Sequence, residues 1–171
     1  MNIRQAAASD FPAIYDLVKT AFQTAKVSDG TEQDFVNALR ARPTYLPALE
    51  LVAQSGDGTL LGHVMLTETS LDTNGGERLP ALMAAPLCTR LQNRNCGLGA
   101  MLLHEGMRRA RDMGYTCVFL VGDPAYYGRF GFRPVTAYGL RNETHAPDQY
   151  VLGRPLIPGA LDGAAGGVCL E

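Results

Sequence analysis

The sequence predicts a mixed α/β domain in which helices cover a largely antiparallel sheet. Three observations carry this expectation. The first forty residues hold two stretches with apolar residues at helical spacing. Three strand-like runs follow, two of them joined by "NGGE", a hairpin turn signal. A glycine-led helix then runs into the short apolar segment "YTCVFLV". The length of 171 residues suits one domain, spanning residues 1–171.

Each element follows from local chemistry. "NIRQ" is short and extended. In "SDFPAIYDLVKTAF", Ser9 is a good N-cap and Asp10 sits in the first turn, where the helix dipole favours an acid. Phe11, Ile14, Leu17, Val18 and Phe22 then form an inward stripe. "TEQDFVNALRAR" reads as a shorter helix with Phe35 and Leu39 inward and Val36 as a further inward candidate, and "RPTYLP" ends it. "ALELVAQSGDG" is a strand ending in a turn, and "TLLGHVMLTETSLDT" is a longer one. "RLPALMAAPLCTR" is apolar enough for a central strand, but proline donates no ladder hydrogen bond. Pro86 therefore marks a bulge or a point where the neighbouring strand peels away, leaving backbone groups for a ligand. In the next helix Gly99, Leu102, Leu103, Gly106, Met107, Ala110 and Met113 make one stripe, and Gly114 stops it. "GDPAYYGRFGF" is a turn, a brief helix and a glycine stop. "RPVTAYGL" and "DQYVLGRPL" read as later strands. The Gly/Ala-rich end reads as a flexible tail, with a last short strand over residues 168–170 as the alternative.

Composition excludes several classes. The formal charge is -2 and the apolar share 46%, so no global field gathers nucleic acid or an anionic surface. Lys19 and Lys26 are the lysines, and the arginines form no run that would track a phosphate backbone. No apolar stretch approaches a membrane span, and the opening residues lack an apolar leader core. Cys88, Cys96, Cys117 and Cys169 form no C-x-x-C pair. His63, His104 and His145 are not spaced as metal ligands, so no metal is expected. These features suit reduced thiols in a cytoplasmic protein.

The segment "RNCGLGAMLL" carries the chemistry. At a helix start the first backbone N–H groups lack internal acceptors and point outward with the positive end of the dipole behind them. A phosphate or pyrophosphate fits there. Gly97 and Gly99 let the backbone approach an anion, and Arg94 can add a charged donor. A Walker loop would need G-K-[ST]. A dinucleotide fingerprint would need a third glycine where Leu102 stands, so a dinucleotide-binding protein is a weak rival. The pattern R/Q-x-x-G-x-G/A is met by Arg94, Gly97 and Gly99.

With these residues in place, "PLCTRLQNRNCGLGAMLLHEGMRRARDMGY" resembles the acetyl-CoA-binding motif of the GNAT superfamily of N-acetyltransferases. "FLVGDPAYYGRFGF" resembles the second half of that family's core, and its wording is similar to a YhbS-like subgroup of short bacterial acetyltransferases. The resemblance covers most of the chain. It implies a GNAT-type, largely antiparallel sheet flanked by helices, with a splay between the fourth and fifth strands. This chain departs from the family at Asn95, where glycine is usual, and at Cys96. Asparagine tolerates left-handed backbone angles, so the turn can survive.

The resemblance also implies roles. Acetyl-CoA is the expected co-substrate. Its pyrophosphate would rest on Arg94, Asn95, Cys96, Gly97, Leu98, Gly99 and Ala100. Its pantetheine arm would run beside Leu87, Cys88 and Thr89, and Asp123 joins the cofactor-binding set. The Cys88 backbone N–H would serve the oxyanion. Tyr127, in the setting Y-x-x-x-G-F with Gly131 and Phe132, would touch the cofactor and protonate the leaving thiolate; Tyr126 is its local rival. A phenol with a pKa near 10 stays protonated at neutral pH and can donate.

Some roles stay open. Glu68 and Glu32 are candidate bases, though each also reads as a solvated surface charge. His63 and His104 read as structural. Cys88 has no visible histidine partner to make it an acyl-accepting nucleophile, and direct transfer needs none. The acceptor, an amine, would be shaped by residues 22–39 and 138–150, which hold no strong acidic cluster. A non-catalytic acyl-CoA sensor is the rival reading, and the sequence leaves a homodimer open.

Overall fold

A computed structural model describes residues 1–26 and 28–170. In chain order the elements are β1 (Asn2–Gln5), α1 (Phe11–Phe22), α2 (Glu32–Arg40), β2 (Glu50–Gln54), β3 (Leu60–Thr73), β4 (Arg78–Thr89) and α3 (Leu98–Asp112). They continue with β5 (Cys117–Val121), α4 (Pro124–Tyr127), β6 (Arg133–Pro134), β7 (Arg141–Asn142), β8 (Val151–Pro155) and β9 (Gly166–Val168). The chain forms two compact units. Of the described residues, one holds those within 1–67 and 85–109, the other those within 68–84 and 110–170. The long strands β3 and β4 and the helix α3 contribute residues to both.

In the first unit β1 pairs antiparallel with β2, and β2 with the first half of β3. Beside this ladder lie α1 and α2. Ile14, Leu17, Val18 and Ala21 of α1, and Val36 and Leu39 of α2, are buried. Phe35 is only half-buried, while Val36, the further candidate read from the sequence, is 1% exposed and lies inward with Leu39. The cap before α1 also differs from expectation. Ser9 makes no capping bond, because a 3-10 turn over Ala8–Asp10 precedes the helix. Asp10 acts instead: its carboxylate accepts the Ala7 N–H at 2.7 Å and is gripped by the Arg4 guanidinium at 2.7 and 2.9 Å. An acid there takes up a donor that the turn leaves without a backbone partner.

Helix α3 packs on the strands through two glycines. A Cβ on Gly62 of β3 would lie 2.7 Å from Leu102 Cδ1 and 3.0 Å from the Cys88 carbonyl oxygen. A Cβ on Gly106 of α3 would lie 2.9 Å from Leu66 Cδ1. Neither position has room for a side chain, so helix and strands approach closely. Leu102 and Leu103 are fully buried as a result, each worth about 1.5–3 kcal/mol of apolar burial. This packing fixes where the first turn of α3, and the loop before it, must sit.

In the second unit β4 pairs parallel with β5, β5 antiparallel with β8, and β8 antiparallel with β6. The far end of β3 pairs with β9, which runs parallel to β7. The "NGGE" hairpin between β3 and β4 closes with the Thr73 N–H on the Glu77 carbonyl at 2.7 Å. "RPVTAYGL" yields only the two-residue β6, followed by a 3-10 turn over Val135–Tyr138. Pro134 has no N–H to extend a ladder. The last strand is Gly166–Val168, two residues earlier than the sequence suggested. Met113 lies beyond the end of α3 and is exposed; Gly114, at φ +95°, terminates the helix.

The described β4–β5 pairs are Leu82 with Val118 and Met83 with Phe119. Beyond them Leu120 and Val121 keep their pairs with β8, while β4 runs on through a cis Ala85–Pro86 bond to Thr89. The described parallel pairs therefore precede Pro86 along β4.

Candidate active site

The first unit holds the glycine loop. Residues 94–97 are exposed, and α3 begins at Leu98. The Met101 N–H bonds to the Gly97 carbonyl at 3.0 Å. The N–H groups of Leu98, Gly99 and Ala100 precede that first helical bond and lack acceptors within the helix. Asn95 stands at φ +61° and Gly97 at φ +81°. The asparagine therefore adopts the left-handed turn that the family's usual glycine would take. Nothing lies within 4 Å of the place a Gly97 Cβ would occupy, so backbone angle alone requires glycine there. Cys96 is exposed, and its thiol donates to the Asn93 carbonyl at 2.7 Å.

Arg94 is placed differently from a free phosphate ligand. Its guanidinium donates to the Ala21 carbonyl at 2.6 Å and to the Thr24 hydroxyl at 2.9 Å. The side chain ties the loop to the end of α1, where an arginine also meets the negative end of the helix dipole.

Leu87, Cys88 and Thr89 are the last three residues of β4, beyond its described pairs with β5. Cys88 is buried. Burial pushes its thiol up to about 12, even though the His63 backbone N–H and the Arg94 charge work the other way. The sulfur stays a thiol at neutral pH, which fits a packing role better than a nucleophilic one.

Next to Cys88 lies a polar cluster that sequence reading missed. Glu50 on β2 and His63 on β3 have no solvent exposure. His63 Nε2 is 2.9 Å from Glu50 Oε1. Arg40, at the end of α2, reaches the same carboxylate through Nη2 at 2.5 Å and Nε at 3.2 Å. The Tyr45 hydroxyl donates to Glu50 Oε2 at 2.6 Å, and the Arg40 guanidinium stacks 3.8 Å above the Phe11 ring. Burial would raise the Glu50 carboxyl, but hydrogen bonds from His63, Arg40 and Tyr45 outweigh it and hold the group at about 2. Burial lowers the His63 ring despite the neighbouring carboxylate. The only hint in the sequence is a charge inside the apolar run "ALELVA".

The other acids separate. In the second unit Glu68 accepts from the Tyr115 hydroxyl at 3.0 Å. In the first, Glu32 opens α2, and its Oε2 is buried without a hydrogen-bond partner among the described residues. No group of three or more His, Cys, Asp or Glu among the described residues could hold a metal ion.

The second unit holds "GDPAYYGRFGF". Asp123 is the N-cap of α4, its carboxylate accepting the Ala125 N–H at 2.8 Å. The Tyr127 ring packs on the Gly122 backbone so closely that a Cβ there would lie 2.4 Å from Cε2. It also meets Phe132 edge-on at 5.8 Å and Tyr126 at 4.9 Å. Gly131, at φ +81°, turns the chain so that Phe132 is buried beneath the ring. Tyr126 instead lies under the Arg129 guanidinium, 4.6 Å from its ring centre.

A family model for the acetyltransferase (GNAT) domain matches residues 2–135. The chain belongs to the GNAT family of N-acetyltransferases. It is 31% identical over 166 residues to the uncharacterized N-acetyltransferase YhbS of Escherichia coli K12, covering 97% of this chain and 93% of that protein. The crystal structure of E. coli YhbS in complex with CoA superposes with a TM-score of 0.84 at 30% identity, covering 99% of this chain and 89% of that one. A GNAT family acetyltransferase from Brucella melitensis, in complex with acetyl-CoA, gives a TM-score of 0.78 at 27% identity, covering 99% and 95%. The GNAT sheet with its parallel β4–β5 pairing is thus the fold of this protein. Among the described residues no helix is long and apolar enough to cross a membrane.

Proposed function

We propose that this GNAT protein transfers acetyl from acetyl-CoA directly to a primary amine. The observation that carries the reading is the loop of residues 94–100, an exposed, left-handed turn that presents α3's first N–H groups. The CoA and acetyl-CoA bound by the two relatives support it. The pyrophosphate rests on the N–H groups of residues 95–100. Arg94 acts chiefly by anchoring the loop to α1. The pantetheine arm adds to the backbone of Leu87, Cys88 and Thr89, past the end of the β5 ladder. The family match runs through residues of both units, which supports one acetyltransferase domain.

The chemistry balances without a covalent enzyme intermediate. A neutral amine attacks the thioester carbonyl, forming the N–C bond and an oxyanion that the Cys88 backbone N–H stabilises. Collapse breaks the C–S bond. The Tyr127 hydroxyl gives its proton to the departing thiolate, and the amine loses one to solvent or a base. The buried, protonated Cys88 thiol supports direct transfer over a Cys88 acyl relay. Asp123 contributes as the cap that sets α4, and with it Tyr127.

Calorimetric titration with acetyl-CoA, followed by thiol release across a panel of small amines and peptide N-termini, tests the reading. Saturable binding with an amine-dependent, acetylated product is expected. Binding without turnover on any amine would leave only an acyl-CoA-binding role.

A further inference from the structure

We propose that Glu50 and His63 are positioning residues for acetyl transfer: Glu50 orients the His63 ring, and the ring holds the β3 backbone against Cys88. This rests on the reading above, in which the Cys88 backbone N–H takes the oxyanion.

Glu50 is fully buried and receives Arg40, Tyr45 and His63. A carboxylate holding that many donors is ionised and can only accept. His63 Nε2, 2.9 Å from Oε1, must therefore carry a hydrogen. The ring is wholly buried, which favours its neutral form. A neutral ring with Nε2–H leaves Nδ1 as a bare acceptor. Nδ1 is buried and has no hydrogen-bond partner among the described residues. The carboxylate has thus chosen one of two tautomers and aimed the ring, at the expense of the other nitrogen.

At the residue preceding His63, a Gly62 Cβ would lie 3.0 Å from the Cys88 carbonyl oxygen, so β3 runs directly against Cys88 there. Rotation of β3 at residues 62–63 would move Cys88. The His63 ring resists that rotation because its far end is pinned to Glu50. Glu50 is in turn fixed from α2 by Arg40, itself stacked on Phe11 of α1. The chain of contacts runs from the helices through Glu50 and His63 to the strand segment that faces the thioester in the proposed mechanism. It does not include the pyrophosphate loop, so it should govern turnover more than cofactor affinity.

Two neutral substitutions test this without disturbing the buried charge pair. His63→Gln carries an amide N–H about as far along the side chain as Nε2, so it can still donate to Glu50. His63→Asn is too short to do so. For both, acetyl-CoA affinity is measured by calorimetry. Turnover is measured as thiol release with whichever amine the panel identifies, or to water if none is accepted. His63→Asn should lower kcat about tenfold and leave the acetyl-CoA Kd within twofold, while His63→Gln stays within threefold of the parent in kcat. Equal, near-parental kcat for both variants would overturn the proposal. So would parallel losses of kcat and affinity in both, which would mark His63 as a general fold residue. Nitrogen-15 spectra of the unmodified protein give an arm independent of activity: a neutral ring protonated at Nε2 is expected near pH 7, and protonation at Nδ1 would overturn the tautomer assignment. Failure of the parent protein to bind acetyl-CoA would count against the proposed function and leave the tautomer result readable.

Discussion

The Arg94 guanidinium donates to the Ala21 carbonyl at 2.6 Å, so the residue that begins the family's loop motif fastens that loop to the last turn of α1. A second bond reaches the Thr24 hydroxyl. An arginine used as an anchor and one used as a phosphate ligand respond differently to salt. Arg94→Ala should weaken acetyl-CoA binding by about tenfold, roughly 1.4 kcal/mol, through loss of loop order. The ratio between variant and parent should change little from low to moderate salt. A ratio that collapses as salt rises would assign Arg94 to the phosphate instead.

Gly62 makes a prediction about stability. An added methyl would lie 2.7 Å from Leu102 Cδ1 and 3.0 Å from the Cys88 carbonyl oxygen. Leucine can shift, but the strand backbone cannot do so freely. Gly62→Ala should cost about 1–3 kcal/mol in urea unfolding and lower turnover as well. Gly56, with open space around its Cβ position, should accept alanine with no comparable loss.

The buried carboxylate predicts an acid limb of unfolding. The folded-state value of Glu50, about 2, lies below its ordinary 4.5. Its contribution is therefore complete above the ordinary value and is lost as pH falls through the interval toward about 2. Glu50→Gln should flatten that limb in pH-dependent melting. It should also destabilise the protein at neutral pH by about 3–5 kcal/mol, because Arg40 is left without its buried partner. An unchanged acid limb would show that the carboxylate is not held as described.

Tyr127 separates chemistry from binding. Its ring is fixed by Gly122 and Phe132, so removing the hydroxyl leaves the packing in place. Tyr127→Phe should lower kcat by about 10²–10⁴-fold and largely spare acetyl-CoA affinity. Unchanged turnover would remove Tyr127 from the mechanism and turn attention to Tyr126.

Much of this was legible in the residues. The hairpin at "NGGE" and the helix after "GLG" both follow from backbone chemistry, which is local and therefore written in short stretches. Asn95 was readable for the same reason: its tolerance of positive φ predicted the angle the turn adopts. What was hidden depends on side chains meeting from distant positions. The tie from Arg94 to Ala21 was hidden because nothing in sequence links the two positions. His63 looked like an isolated strand residue because Glu50, Arg40 and Tyr45 come to it from β2, α2 and the loop between them. Ser9 lost its capping place to Asp10 because Arg4, on the preceding strand, holds the acid in position. Strand content after Gly131 was overestimated where Pro134 cuts the ladder and a 3-10 turn follows.

In the proposed mechanism acetyl passes from acetyl-CoA to an amine without an acyl-enzyme. Mass spectrometry of single-turnover mixtures, with acetyl-labelled acetyl-CoA and the amine panel, tests it most directly. Label is expected on an amine nitrogen, with one equivalent of free CoA thiol for each product and none on Cys88 at any time. Label accumulating on the protein before product, or tight acetyl-CoA binding with no amine acetylated, would contradict it.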